Sequence, residues 1–433
     1  MARIKLAYIG GGSSRAAGTM ASLIWHGQEF DGSEIVLVDL DPDHLEIVRT
    51  LSEKMARNAG LDLTITATTD QRAGLTDVDA VLSSFRPGDF QMRLQDELIP
   101  QRHGVIGQET QGPGGFMMSL RSIEIMKGIL ADLDAVAPDA KIFNYTNPVN
   151  IVSQAVTDNT DRFIYSMCEG PMIFPPSILK TAGLDPERAD VLMAGVNHNC
   201  WSTRHTYDGQ DLMPLLDEAW ERVKDDPSVP VWDKRMLKLA VAMRSVPADY
   251  YRYYYFGEEF LREQRSKRLT RAGVILESVP DYWAHYAEQA ESVNPELDPD
   301  RSRGGIHELE LAIDVMSAYY NDAPARLPVN LPNTGGALPG FDEDTVVEMW
   351  CTVDGSGATP EPQEALPHAV RGITQTLAEY QRLAAVAAWE GTRADAVRAL
   401  VAHPFVPTLA VAEELYDDMA YANRDFIPER LLK

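Results

Sequence analysis

The chain has 433 residues, 45% of them hydrophobic and 24% charged, the mixture of an ordinary globular protein and not of a disordered, fibrous or membrane chain. Acidic residues outnumber Lys plus Arg by 65 to 39, a formal net charge of -26 that repels phosphate backbones and anionic lipid alike, so neither nucleic acid nor a membrane is an expected partner. The three cysteines, Cys168, Cys200 and Cys351, are too few for a disulfide framework. No run of about 18 apolar residues occurs, and MARIKLAYIGGG lacks a cleavage-site pattern, so a soluble, cytoplasmic protein is expected.

Residues 4–9, IKLAYI, form a short apolar run that stops at Gly10-Gly11-Gly12-Ser13-Ser14 and passes into a helix-compatible stretch to Trp25: strand, tight turn, helix. Further strands are expected in EIVLVDLD, ending in Asp39 and Asp41, in LTITATTD, ending in Asp70, in DAVLSSFRPG and in KIFNYTNP. Strands alternating with helical segments imply right-handed crossovers and a mostly parallel sheet, with ligands beyond the carboxyl ends of its strands. The expected fold is α/β: an N-terminal Rossmann-like doubly wound parallel sheet over residues 1–165, growing without a linker into a C-terminal α+β domain over 166–433. Helical spacing returns at 307–323 and 366–402, on either side of a strand-and-turn region, LPVNLPNTGGALPGF then TVVEMWCTV.

Gly10 and Gly12 allow the sharp turn and close backbone approach that a pyrophosphate needs at the N-terminus of the following helix. Arg15 stands where the dinucleotide fingerprint has Gly or Ala. Asp39, at the end of the second strand, is placed to accept hydrogen bonds from a ribose with free hydroxyls, which favours NAD over NADP. The alternative is a tight strand-to-helix turn with no ligand.

Further segments carry chemistry. In residues 104–122, five glycines and Pro113 surround Gln108, Glu109 and Thr110, a loop suited to close ligand approach or a plain connector. Asn147 precedes Pro148, which extends the backbone and aims the amide into the cleft, unless it forms an Asx turn. Cys168 and His198 together can hold a divalent ion and leave positions open for substrate oxygens, although a lone cysteine is also a small buried hydrophobe. The run Asp249 to Tyr255 is dense in tyrosine; most rings suit core or interface, and one beside a cation can act as a base. Finally, Arg262, Arg265, Lys267, Arg268 and Arg271 form either a solvated helix face or a receptor for phosphate, sulfonate or carboxylate oxygens.

These segments together resemble the NAD-dependent glycosidases of glycoside hydrolase family 4, including the related NAD-dependent sulfoquinovosidases. The matching strings are IGGGSS, RLQDELIPQRHGVIGQETQGPGG, NYTNPVNIV, the Cys168 segment, AGVNHNCW, VPADYYRYYY, LPVNLPNTGGALPGF with TVVE, and LPHAV followed by ALVAHPFV. The resemblance implies a lactate/malate dehydrogenase-like fold, although the HG-type catalytic motif of those enzymes is missing. It also implies bound NAD, held by Gly10, Gly12, Ser13, Ser14, Asp39 and Arg86, and a divalent metal, manganese in the family, on Cys168 and His198. Tyr250 would be the base that removes the C2 proton after transient oxidation at C3, with elimination at C1 and no net redox change. Arg93, Glu109, Asn147 and Arg271 would bind the sugar, Arg271 its anionic group. Glu169 departs from the Asp, Asn or His that family branches carry after the cysteine, yet keeps a carboxylic acid for the leaving group. The implied activity is hydrolysis of a glycoside with an anionic C6 group, a sulfoquinovoside or 6-phosphoglycoside, in a homodimer or homotetramer. The competing readings are a neutral α-galactosidase or α-glucosidase of the same family, and a sugar dehydrogenase that releases NADH.

Overall fold

The computed structural model describes residues 1–303 and 310–433; the expected helical residues 307–309 lie outside them. Its described strands form one sheet. Six parallel strands, β1 (Lys5–Ile9), β2 (Glu34–Val38), β3 (Thr64–Thr68), β4 (Ala80–Ser83), β5 (Lys141–Asn144) and β6 (Ile164–Ser166), lie in the order β3-β2-β1-β4-β5-β6. That is the doubly wound order, whose ligand crevice opens where β1 and β4 lead in opposite directions. The middle strands are apolar between their ends because helices cover both faces; Ala7 pairs with Val36 on one side and Val81 on the other.

The sheet does not stop at β6. The later strands are β7 (Ala189–Val196), β8 (Asn199–Tyr207), β9 (Gln210–Asp211), β10 (Ala325–Pro332), β11 (Val346–Asp354) and β12 (Gly357–Pro360). They continue it antiparallel as β10-β11-β7-β8-β9, with β12 on β11. Each junction is thin: β6 meets β10 at Ser166 and Asn330 alone, and β11 meets β7 at Glu348 and Gly195 alone.

Helices α1 (Ala16–Trp25), α2 (Pro42–Asn58), α3 (Gln71–Gly74), α4 (Asp89–Arg102), α5 (Gly112–Val136) and α6 (Val149–Asn159) wrap the parallel half. The loop expected over 104–122 ends at Gln111, because α5 already begins at Gly112. Pro113 costs nothing in a first turn, where its N–H would have no partner. A Cβ at Gly114 would lie 2.3 Å from the Gln108 carbonyl oxygen, and one at Gly115 2.4 Å from the Thr110 carbonyl carbon. Those glycines serve close packing and not loop flexibility.

Helices α7 (Gly170–Thr181), α8 (Met213–Val223), α9 (Val231–Met243), α10 (Arg252–Tyr255), α11 (Gly257–Ser266), α12 (Arg271–Glu291) and α13 (Glu310–Tyr320) follow. The helical stretch expected over 366–402 splits at Gly391 into α14 (His368–Trp389) and α15 (Arg393–Ala402), the latter started by a Thr392–Asp395 capping box. With α16 (Leu409–Asn423), these return to the parallel half, where Ala384, Leu400 and Leu415 share one core with Phe116, Ile142 and Val152. α12 crosses back as well, stacking Trp283 on His44 of α2 at 3.6 Å.

Behind the crevice, Arg121 of α5 is buried on Asp96 of α4 (3.1 and 2.6 Å) and donates to the Pro87 carbonyl (3.2 Å), which pins the segment after β4. Breaking such a pair strands an uncompensated charge. Arg121→Ala should therefore lower unfolding free energy by about 3–5 kcal/mol, measured by urea denaturation; a loss below about 1 kcal/mol, the worth of an exposed pair, would show that the pair is not a support.

Candidate active site

At the end of β1, Gly10 adopts a left-handed φ of 99°, and a Cβ there would lie 2.2 Å from the Ser84 carbonyl oxygen beyond β4. The turn is therefore pressed into the crevice. Ser13 closes it with its N–H on the Gly10 carbonyl (3.0 Å), and Gly12 N–H donates to Asp39 (2.9 Å). Burial pushes the Asp39 carboxyl above its ordinary range, against the backbone hydrogen bonds from Leu40 and Gly12. The Ser14 carbonyl accepts from the Tyr286 hydroxyl (2.9 Å), which itself accepts the Arg303 N–H (2.9 Å). Arg15 is the residue before α1, so a guanidinium stands at the helix N-terminus where the fingerprint has a small residue. This cradle fits a dinucleotide: backbone N–H groups and an arginine for the pyrophosphate, an acid for the ribose.

Beside the cradle, charge is concentrated. Glu109 Oε2 receives Arg86 at 2.6 Å and Arg93 at 2.7 Å, and Arg93 also donates to Glu97 (2.8 Å). Burial works against the charge on Glu109, but Arg86 and Arg93, helped by Arg303 and Arg15, outweigh it and hold the carboxyl at about 2. Arg303 and Arg86 lie 4.3 and 5.7 Å from the Phe90 ring centroid. Burial, then repulsion from Arg15 and Arg86, pushes Arg303 down to about 9. Among the described residues, Arg86, Arg93 and Arg303 thus share a site with the carboxylates of Glu109 and Glu97, three cations to two anions. Glu97 also accepts the Ala272 N–H at 2.8 Å, tying the start of α12 to this cluster.

Arg15 and Arg303 are residues of this charged neighbourhood that sequence reasoning did not single out as charges. Arg15 had a signal, its departure from the fingerprint; Arg303 sits in an unremarkable RSRGG. Arg271, by contrast, is exposed at the first position of α12, outside the buried cluster. The rest of the basic run is largely a solvated face: Lys267 pairs with Glu263 (2.7 Å), Arg268 with Glu277 (3.0 Å), and Arg265 donates to the Gln101 carbonyl.

Farther along the crevice, His198 occupies the turn between β7 and β8 with φ 65°. Its Nδ1 lies 3.1 Å from Thr110 Oγ1, and Thr110 Oγ1 is 3.0 Å from Gln108 Oε1, an acceptor. With Thr110 donating to Gln108, Nδ1–H donates to Thr110 and Nε2 keeps its lone pair, the arrangement of a metal-binding imidazole. Burial lowers His198 to about 4, so the ring is neutral at pH 7. Cys168 follows β6; burial, then the charges of Glu348 and Glu169, raises its thiol well above the ordinary range. Among the described residues no group of three or more His, Cys, Asp and Glu could hold an ion. Two protein donors would leave substrate oxygens to complete such a shell, and among the described residues the buried Asn147 Oδ1 has no hydrogen-bond partner, which excludes the Asx turn.

Tyr250 stacks on His198 (ring centroids 4.0 Å apart, planes at 5°), with Phe174 edge-on at 6.1 Å. Burial and then Tyr253, Cys168 and Glu109 raise its phenol well above the usual range, so the ring needs a nearby cation before it can act as a base. Of its neighbours, Tyr251 is buried against Thr374 and the Asn199 carbonyl (3.0 Å each), a core role. Glu169, the residue before α7, accepts the Tyr145 hydroxyl at 2.7 Å. The structure therefore gathers Arg86, Arg93, Glu109, Asn147, Cys168, Glu169, His198 and Tyr250 along the carboxyl edge of the sheet, next to the glycine turn.

A family 4 glycosyl hydrolase model matches residues 5–183, and the C-terminal domain model of that family matches residues 193–406. The chain is 32% identical to a probable 6-phospho-beta-glucosidase of Bacillus subtilis (strain 168), over 98% of each chain. It shares its fold with the crystal structure of a 6-phospho-alpha-glucosidase from gut microorganisms in complex with NAD and Mn2+, at a TM-score of 0.86, 24% identity and 99% coverage of each chain. A more distant likeness in fold alone is to malate dehydrogenase from Plasmodium falciparum, with a TM-score of 0.56 and 11% identity, over 89% of this chain and 100% of that one.

Proposed function

The chain belongs to the family 4 glycosyl hydrolases, and from that premise we propose that it cleaves a glycoside bearing an anionic group on C6, a 6-phosphoglycoside, in an NAD-dependent reaction. The observation that carries the substrate class is the cluster around Glu109, where, among the described residues, Arg86, Arg93 and Arg303 stand against the carboxylates of Glu109 and Glu97 in a half-buried site. Arg forks match the oxygens of phosphate or of a sulfoquinovose sulfonate. The names of relatives supply the phosphate: besides the Bacillus protein, a 6-phospho-beta-glucosidase of Escherichia coli (strain K12) is 31% identical.

When bound, NAD would take a hydride from C3 of the sugar and later return it, while a divalent ion would polarise the C2 and C3 oxygens. The chain's own groups do the rest. The Gly10–Gly12 turn and Asp39 hold the cofactor, Cys168 and His198 hold the ion, and Asn147 and Arg93 orient the sugar. Tyr250 removes the C2 proton once C3 is a ketone, and the bond from C1 to the leaving oxygen breaks as Glu169, steadied by Tyr145, gives that oxygen its proton. Water then adds at C1 and the proton returns to C2. The aglycone has been exchanged for hydroxyl with no net oxidation.

Tyr250→Phe is expected to bind NAD as the parent does but to lose solvent deuterium incorporation at C2, read by NMR of recovered sugar; retained exchange would remove Tyr250 from the base role. Substrate deuterated at C3 should turn over more slowly, and NAD should be needed in catalytic amounts only. NADH accumulating one for one with sugar would instead select the dehydrogenase reading. Arg303→Ala should raise KM for a nitrophenyl 6-phosphoglycoside by about tenfold or more, the worth of a charged hydrogen bond, and leave a neutral glycoside nearly unchanged. Arg271→Ala, at the exposed rim, should have the smaller effect. A panel bearing 6-phosphate, 6-sulfonate or a free 6-hydroxyl distinguishes the anions, and preference for the neutral sugar would sink the anionic reading.

A further inference from the structure

Glu348 lies in the middle of β11 with 0% of its surface exposed, and no step above uses it. Its Oε1 accepts from Asn197 Nδ2 (2.8 Å) and Asn330 Nδ2 (3.1 Å), and Asn330 Nδ2 also reaches the Ser166 carbonyl (3.2 Å). Asn197 is the residue before His198, and Ser166 lies two before Cys168. One carboxylate is thus tied to both chain segments that carry the ion-binding pair. It also stands at the seams of the sheet, since Glu348 is the residue that pairs β11 with β7 and Asn330 the one that pairs β10 with β6.

A seam alone does not need an acid. Burying a carboxylate is costly unless its oxygens are satisfied, and here, among the described residues, Oε2 has no amide or hydroxyl donor, only the weak Cys200 thiol beside the carboxyl. Apolar side chains could join the strands at no such cost. Two amides held from one oxygen, on opposite sides of the seam, are suited instead to keeping a thiol and an imidazole from separate elements at one separation. His198 sits in a left-handed backbone conformation that a non-glycine residue rarely adopts without such support.

Resting on the reading of Cys168 and His198 as ligands, we propose that Glu348 is a positioning residue for the metal site. It acts through Asn197 on His198 and through Asn330 on the strand end that leads to Cys168. Groups behind metal ligands typically change metal affinity by about 10- to 100-fold when removed. The NAD cradle lies on the other side of β6 and owes nothing to this link.

The proposal is tested by titrating the NAD-loaded full chain with Mn2+, free ion being read by electron paramagnetic resonance. Glu348→Ala and Asn197→Ala should each bind Mn2+ about 10- to 100-fold more weakly, with NAD affinity within about twofold of the parent. Turnover at saturating Mn2+ should largely recover, so that the loss falls on the KM for the ion. Glu348→Gln, which keeps the shared acceptor, should restore most of the affinity. Should Glu348→Ala fail to fold, Asn197→Ala carries the test. Variants that bind Mn2+ like the parent overturn the proposal, as does a parallel fall in NAD affinity and melting temperature, which marks a mere strut, or a Gln variant without rescue. A parent chain that binds no Mn2+ overturns the metal reading itself and this inference with it.

Discussion

Charge held out of balance is what the rest of the site depends on. In a chain of net charge -26, Arg86, Arg93 and Arg303 converge on one place where, among the described residues, Glu109 and Glu97 neutralise only part of them. Two unit charges about 4 Å apart interact by roughly 4 kcal/mol at the effective dielectric of a protein surface, so such an excess is costly to maintain unless an anion completes it. Glu109 makes the crowd tolerable: its single Oε2, between Arg86 and Arg93, holds two guanidiniums at fixed positions. Phe90 offers its ring to both Arg86 and Arg303 without neutralising either. The cluster also abuts the glycine turn through Tyr286, which touches both Ser14 and Arg303.

A second constraint is mechanical. Cys168 leaves a parallel strand of the dinucleotide half, whereas His198 sits in an antiparallel hairpin. Continuing one sheet across two single-pair junctions brings the strands that carry these two residues into one sheet. Thr110, from the loop before α5, sets the tautomer of His198, while Gln108 and Gln111 brace that loop from within; Gln111 accepts from Asn199 at 2.8 Å. The loop therefore supplies a charged group, Glu109, and a silent one, Thr110, one residue apart.

Local signals were legible where the physics is local. The glycine turn, the acid after β2, the short apolar strands and the Asn-Pro step each rest on a few consecutive residues, and each stands where the pattern predicts. Residues 104–122 misled because glycine has two uses: composition suggests flexibility, while the folded chain uses Gly114 and Gly115 to let α5 start against carbonyl groups. Of the two readings open for the basic run, the solvated face describes most of it: Lys267 and Arg268 find acids of their own and Arg265 a backbone carbonyl.

By itself the sequence determined the order of the elements, the cofactor turn and, through its family strings, the chemistry to expect at Cys168, His198 and Tyr250. Only tertiary structure decided where positive charge collects and which buried acid stands behind the donors. Residues 15, 86, 93, 109 and 303 share no periodicity, and neither do 166, 197, 330 and 348. Turn and strand preferences act over a handful of bonds, whereas Coulomb attraction and amide-to-carboxylate contacts depend on distance through space, which exists only once the chain has closed upon itself.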